Sequence, residues 1–406
     1  MKQERVFPKL IITKKEENRI QYGHPWIYED EIISSDEVDN GCIVDVLSEK
    51  GKYLGSGLYS ASSKIKVRIL DQNANETFQS SFFKRRVQYA IAYRKEVMPS
   101  FEAIRLVHGE ADGLPGVTVD LYHDILVSEI LSYGMEERKE WIYEALIEEL
   151  KALGISIRGI YERNEGALRK KEGLPQYKGW YLKLEGLKEC NPILTIEENG
   201  ILYEVDVENG QKTGFFLDQK LNRLRVQELS KDKSVLDICT HTGSFALNAA
   251  KGGAKEVTAV DVSDYAIEVA KRNALQNHLE DKINFVAEDA FEYLNQAITI
   301  HQKYDIVILD PPAFTKSRKT IQAALRGYQK MNGLGMRLVK RGGYLVSCSC
   351  SHFVDSEAFK EMLLKASKEA NVSLRFVEER QASYDHPSLL SVPETSYLKF
   401  FLFQII

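Results

Sequence analysis

Over residues 1–75, apolar and polar positions alternate in short runs broken by glycine. GHPWIYEDEI (23–32) precedes GCIVDVLSEKGKYLGSGLYS (41–60), and SKIKVRIL (63–70) sets lysine or arginine against isoleucine and valine. Period-two alternation between glycine turns predicts half-buried strands, and hence a small β domain. QNANETFQSS (72–81) is mostly polar and reads as a linker. Phe83, Val87, Ala90 and Ile91 then recur at spacings of three and four, which predicts a helix over 82–98. RLVHGEADGLPGVTVDLYHDILVSEIL (105–131) predicts two strands separated by Gly and Pro turns, followed by a helix over 136–153 and a strand at ISIRGIYER (155–163). That order defines a middle α+β domain over 76–195, too small to hold a nucleotide by itself.

Beyond about residue 200 the rhythm changes. SVLDICT (234–240), EVTAVDVS (256–263), KINFVAED (282–289), YDIVILDPP (304–312) and GGYLVSCSCS (342–351) are near-continuous apolar runs separated by helical segments such as DYAIEVAKRNALQNH (264–278). Strand and helix alternating at this spacing predict right-handed crossovers and a parallel, doubly wound α/β sheet over 196–406. YLKFFLFQII (397–406) reads as one more strand deep in the same sheet.

A length of 406 residues fits two or three domains. No run approaches the roughly 18 apolar residues of a membrane span, and MKQERVFPKL lacks the apolar stretch of a signal peptide, so a cytoplasmic protein without membrane association is expected. The 5 cysteines (Cys42, Cys190, Cys239, Cys348, Cys350) are scattered and form no CxxC pair, which argues against a disulfide framework and against a metal site. With a net charge of −5 the chain is not coated in positive charge, so a nucleic-acid partner requires local basic patches. Residues 311–341 supply one: Lys316, Arg318, Lys319, Arg326, Lys330, Arg337, Lys340 and Arg341, with no Asp or Glu. Arg163, Arg169, Lys170 and Lys171 form a second run and Lys84, Arg85 and Arg86 a third; any one such run also reads as a solvated face.

Ligands of doubly wound sheets bind outside the C-terminal strand ends, where strand order reverses. That rule selects the stretch from Asp237 to Gly243, together with Asp261, Asp289 and Asp310. Asp261 follows Asp237 by about 24 residues, the spacing from which a carboxylate reaches ribose hydroxyls. The first loop, DICTHTGSFAL, has one glycine and no GxGxxG, so a pyrophosphate cofactor such as NAD or FAD is disfavoured. S-adenosylmethionine (SAM) has an adenosine but no pyrophosphate and tolerates the loop. Each Asp also reads as a helix N-cap. The four together, with DPP at 310–312 holding the chain extended, favour ligand binding.

VLDICTHTGSFAL, VDVS, EDAF, LDPPAF and RGYQKMNGLGMRLVKRGGYLVSCSCS resemble the PUA-containing, SAM-dependent methyltransferases of large-subunit ribosomal RNA, of the RlmI type, which make 5-methylcytosine. GQKTGFFLDQKLNR (210–223) is the most family-specific phrase, and GHPWIY and RGIYERNEGALRKKEGL extend the resemblance over essentially the whole chain. The resemblance implies an N-terminal PUA-like RNA-binding domain and a cofactor pocket lined by Phe216, Asp218 and Gln219 ahead of the first strand. Asp237 and Gly243 would lie by the methionine part, Asp261 would bind the ribose and Asp289 would face the adenine, with Thr240, Phe245, Val262, Ser263, Ala290 and Asp310 completing the cofactor-binding set. It also nominates Cys350 as the catalytic cysteine, with Cys348 two residues away on the same strand face as the competing thiol.

Carbon 5 of cytosine is a weak nucleophile. A thiolate that adds to carbon 6 activates it, and a neighbouring acid can hydrogen-bond the ring. Cys350 and Asp310 close adjacent strands of the expected sheet and could meet across a base. Ala313 follows Pro312, so no second cysteine stands beside DPP, and Phe314 is one residue further on than the aromatic usual for N-methylation. Guanine N-methylation and a non-catalytic ribosome-assembly RNA-binding protein are the alternatives. Lys316, Arg318, Lys319, Arg326, Arg169, Lys170 and Lys171 are the expected RNA contacts, ribosomal RNA is the expected partner, and a homodimer is left open. His241, His352 and His386 read as polar loop residues, while DHPSLL (385–390) is a candidate lining of the base pocket.

Overall fold

A computed structural model of the chain describes residues 5–315 and 317–406, which gather into two compact units. The first holds the residues up to Leu194 together with Val205–Phe215 and Tyr384–Thr395; the second holds Thr195–Glu204, Phe216–Ser383 and Ser396–Ile406.

The first unit contains two sheets. Six strands in the order Trp26–Tyr28, Ile65–Asp71, Tyr53–Tyr59, Ile43–Ser48, Lys9–Ile12 and Ile32–Ser35 make the N-terminal sheet. It carries a helix, Lys14–Gln21, that the strand pattern hid; Thr13 caps it by accepting the Glu16 N–H. The second sheet runs Tyr177–Trp180, Gly159–Asn164, Ile125–Ile130, Val117–Tyr122, Ala103–His108. The stretch read as two strands is therefore three, because the break at His123 and Asp124 is a tight turn with no Gly or Pro, and His123 takes φ 57°. Helices Ser80–Val97 and Lys139–Ala152 cover this sheet, and Phe82, Phe83, Ile91 and Leu146 share one core with Ile43, Leu58 and Leu70 of the N-terminal sheet. The PUA-like and middle regions are thus packed as a single body.

Two later pieces of chain, which the sequence assigned to the C-terminal domain, complete that body. Thr213 donates to Asp120, itself held by Arg105 at 2.7 and 2.8 Å, and Arg94 donates to the Asp385 carbonyl at 2.8 Å. His386 is buried, with its Nδ1 3.0 Å from Asp385 Oδ1, so it is not a polar loop residue facing water.

The second unit is a seven-stranded sheet. Its strands are β1 (Ser234–Ile238), β2 (Glu256–Asp261), β3 (Ile283–Ala287), β4 (Tyr304–Leu309), β5 (Val339–Ser349), β6 (Leu374–Arg380) and β7 (Lys399–Ile405), in the order β3-β2-β1-β4-β5-β7-β6. The first five are parallel, as the near-continuous apolar runs predict. β7 enters antiparallel between β5 and β6. β6 was not anticipated: LRFVEER is mostly exposed at the sheet edge, so it lacks a buried-strand pattern. Helices α1 (Ser244–Lys251), α2 (Asp264–Gln276), α3 (Ala290–Thr299), α4 (Ile321–Leu338) and α5 (Ser356–Ala370) flank the sheet. Strand order reverses between β1 and β4, which places the crevice of the fold beyond their C-terminal ends.

Candidate active site

Asp237 sits at that crevice, fully buried near the end of β1. Its Oδ2 accepts from Thr240 Oγ1 at 2.5 Å and from the Ala246 N–H at 3.0 Å, while Oδ1 is buried with no partner among the described residues. Burial, and then the Asp310 and Asp261 charges, push its carboxyl up to about 7. The turn that follows is strained. Cys239 and His241 take φ 63° and 52°, in the left-handed region that side chains avoid, and Gly243 takes φ 82°. Two non-glycine residues thus make the sharp turn for which the sequence offers only one glycine. A Cβ on Gly243 would also stand 3.0 Å from that of Ala270, so this glycine serves the packing of α1 on α2. Phe245 is buried in α1 and Thr240 stands behind Asp237.

Asp261 closes β2 and accepts the His241 N–H at 2.9 Å and the Ser263 N–H at 3.0 Å. Ser263 caps α2, and Val262 is 73% exposed beside it. Asp289 is an N-cap: it accepts the Phe291 and Glu292 N–H groups at 2.8 and 3.1 Å, and Ala290 opens α3. Capping uses one oxygen of Asp289, so the cap role and a ligand role coexist in one carboxylate. The four carboxylates converge. The Cys239 thiol is pushed far up by burial, and after that by Asp261, Asp310, Asp237 and Asp289.

The segment before β1 folds over this edge. Arg223, buried, grips Glu198 with two bonds of 2.7 and 2.9 Å and donates to the Phe216 carbonyl at 2.9 Å, while the Phe216 ring meets His241 edge-on at 5.3 Å. Tyr397 donates to Asp218 Oδ2 at 2.6 Å. Gln219 donates to Asp310 Oδ2 at 3.1 Å and accepts from Asn222 at 2.7 Å. Glu198, Asn222, Arg223 and Tyr397 escaped the sequence reading, because a buried ion pair over 25 residues of separation leaves no local pattern.

Asp310 directly follows β4 and Cys350 directly follows β5, on neighbouring parallel strands. Cys350 is partly exposed, whereas Cys348 is buried and its thiol is pushed far up by burial and by Asp310. Phe314 lies against Tyr328 with ring centroids 4.5 Å apart, and Tyr328 bonds Ser349 and Ser351 on either side of Cys350.

Arg318, Lys319 and Arg326 are exposed on the acid-free stretch; Lys316 lies outside the described residues. Lys170 and Lys171 are exposed, but Arg169 is not a surface contact. It is 0% exposed, paired with Glu136 at 2.9 Å, bonded to the Pro175 carbonyl at 2.8 Å and stacked 5.2 Å from the Tyr177 ring. Its helix is only 5 residues long, and the apolar neighbours that would mark a buried face lie on other elements. Among the described residues there is no group of metal-ligating side chains and no helix long and apolar enough to cross a membrane.

SAM carries an adenosine and two cationic centres, a sulfonium and an ammonium. A buried carboxylate oxygen on Asp237 with no partner among the described residues, within an acidic rim that includes Asp261, makes an acceptor set that fits them. Comparison with known proteins agrees. Residues 10–72 match a PUA-like domain and 177–404 an S-adenosylmethionine-dependent methyltransferase domain. The chain is 37% identical over 402 residues to the Ribosomal RNA large subunit methyltransferase I of Aliivibrio fischeri, covering 98% of this chain and 99% of that one. It is 34% identical over 406 residues to the protein of the same name in Klebsiella pneumoniae, covering 99% of each. Among solved structures, SMU.776 complexed with SAH superposes with a TM-score of 0.82 at 22% identity, covering 98% of this chain and all of that one.

Proposed function

We propose, from the premise that the chain belongs to the PUA-containing, SAM-dependent methyltransferases of large-subunit ribosomal RNA, that it methylates carbon 5 of a cytosine in that RNA in the cytoplasm. The observation that carries the reading is that Cys350 is accessible just beyond β5, on the strand next to the one Asp310 follows, whereas Cys348, which the strand register sets level with Asp310, is sealed in the sheet. SAM, when bound, supplies an electrophilic methyl group. Phe216, Asp218, Gln219, Asp237 and Asp261 hold it, with Asp289 at the rim. The Cys350 thiolate adds to carbon 6 of the cytosine and makes carbon 5 enamine-like. Asp310 hydrogen-bonds the ring and keeps the electron shift toward carbon 5. Carbon 5 would take the methyl group as its bond to the sulfonium sulfur breaks, with S-adenosylhomocysteine leaving; a base then takes the carbon 5 proton, the C6–S bond breaks and the thiolate returns. Phe314 packs on Tyr328 and stands one residue beyond the position beside the prolines from which an N-methyltransferase aromatic stacks its base. Arg318, Lys319 and Arg326, with Lys170 and Lys171, carry phosphate contacts.

RNA containing 5-fluorocytidine tests this, because fluorine cannot leave as a proton and the adduct persists. Cys350→Ala should lose both methylation and the adduct, and Cys348→Ala should keep both. An adduct that survives Cys350→Ala but vanishes in Cys348→Ala reverses the assignment. Full methylation in the double variant rejects covalent catalysis.

A further inference from the structure

The last strand carries a single charge in an apolar run, Lys399 in YLKFFLFQII. Lys399 lies opposite Ser349 in the β5–β7 ladder and is 8% exposed. Its Nζ donates to the carbonyls of Ser351, Val354 and Tyr397, each at 2.7 Å. An ammonium has three N–H donors, and all three are spent on main chain that follows or faces Cys350.

Packing alone gives no reason for a cation here. Burying an ammonium costs several kcal/mol unless a counter-charge offsets it, and a methionine of similar length would fill the same space. Burial pulls Lys399 down to about 8, and the groups that resist are Cys350 first and then Asp355. Asp355 is already engaged as the N-cap of α5, accepting the Ala358 N–H at 2.8 Å. From the neighbouring elements, the Tyr328 hydroxyl on α4 and the Cys348 thiol on β5 also face Cys350; burial keeps both neutral. Asp310, beyond β4, acts on Cys348. Among the described residues, the ammonium of Lys399 is a positive charge set against the thiol of Cys350.

We propose that Lys399 is a positioning residue for the Cys350 nucleophile, its caged ammonium fixing the 350–354 turn and its charge favouring the thiolate. The proposal rests on the reading of Cys350 as the nucleophile. It is tested by site-resolved alkylation, in which full-length protein is treated with iodoacetamide and the Cys350 peptide is followed by mass spectrometry. A thiol ionising near 8.5 gains about fiftyfold in rate between pH 6.5 and 8.5, whereas one ionising near or below 7 gains less than about tenfold. That ratio does not depend on how accessible the sulfur is. Wild type should show the shallow rise, Lys399→Met the steep one with methylation kcat at pH 7 at least tenfold down and KM for RNA little changed, and Lys399→Arg the shallow one again. A steep rise in wild type, or a shallow one in Lys399→Met, overturns the proposal. Should Lys399→Met fail to fold, the wild-type and Lys399→Arg profiles decide. The nucleophile reading fails by a separate result, methylation surviving in Cys350→Ala, and that result would overturn this proposal too.

Discussion

Asp237 has one oxygen bonded and the other buried without a partner among the described residues, an arrangement that trades stability for binding. With its carboxyl raised to about 7 in the fold, above the ~3.9 of an unfolded aspartate, the folded state binds the extra proton. Stability from this group is therefore full below pH 4 and is lost as pH rises to about 7. Asp237→Asn should raise stability at pH 8 by about 1–2 kcal/mol in urea denaturation while abolishing SAM binding. On the proposed reading SAM takes the carboxylate form, so calorimetry of the wild type at pH 6.5 in buffers of different ionisation enthalpy should show proton release on binding; none would remove Asp237 from the cofactor's cationic centres. Arg169 makes the opposite case, a basic residue used inward. Arg169→Ala should cost about 2–4 kcal/mol by leaving buried partners unmatched, with the salt dependence of RNA binding unchanged, while Lys170→Ala should move stability by less than about 0.5 kcal/mol.

Among the elements, what the sequence made legible was whatever is periodic and buried. The five parallel strands, and the aspartates at or near the ends of four of them, were readable because apolar runs, buried in β1, β2, β4 and the second half of β5 and only partly so in β3, end at the crevice. The exposed edge strand β6 and the antiparallel sense of β7 were not, since each is set by partners distant in sequence, whereas the helix Lys14–Gln21 had a local signal, Thr13 three residues before Glu16, that the surrounding strand pattern hid. Lys399 did leave a signal, a lone charge in an apolar strand, and Cys239 left none, because left-handed backbone at a non-glycine residue is written nowhere in composition. The acid-free stretch at the start of α4 makes a prediction at this scale. Replacing Lys316, Arg318 and Lys319 with Ala should flatten the slope of RNA affinity against salt by roughly two to three phosphate equivalents, because each neutralised phosphate releases counterions. SAM affinity should stay unchanged, and an unaltered slope would make the stretch an ordinary solvated surface.

Across the whole molecule, the chain passes between its two units at 194/195, 204/205, 215/216, 383/384 and 395/396, so no single cut separates them. A fragment ending at residue 194 would lack Thr213, which donates to Asp120, and Asp385, whose carboxylate and carbonyl receive the Arg105 N–H and the Arg94 guanidinium. Buried charges left without those partners cost several kcal/mol together. Limited proteolysis should therefore find the 1–194 fragment far more labile than the same region in the full chain; equal resistance would show that the returning segments are dispensable.

The position of β7 between β5 and β6 has a bearing on biosynthesis. β7, second from the edge of the sheet, follows the other six strands in the chain, and the first unit too waits for residues 384–395. Translation at about 5–20 residues per second separates the N-terminal sheet from these pieces by tens of seconds. Through that interval β5 presents an open edge, Lys399 has yet to arrive beside Cys350, and the nascent chain has no assembled active site. An enzyme that acts on ribosomal RNA thus assembles its active site only after residues 399–405 have emerged.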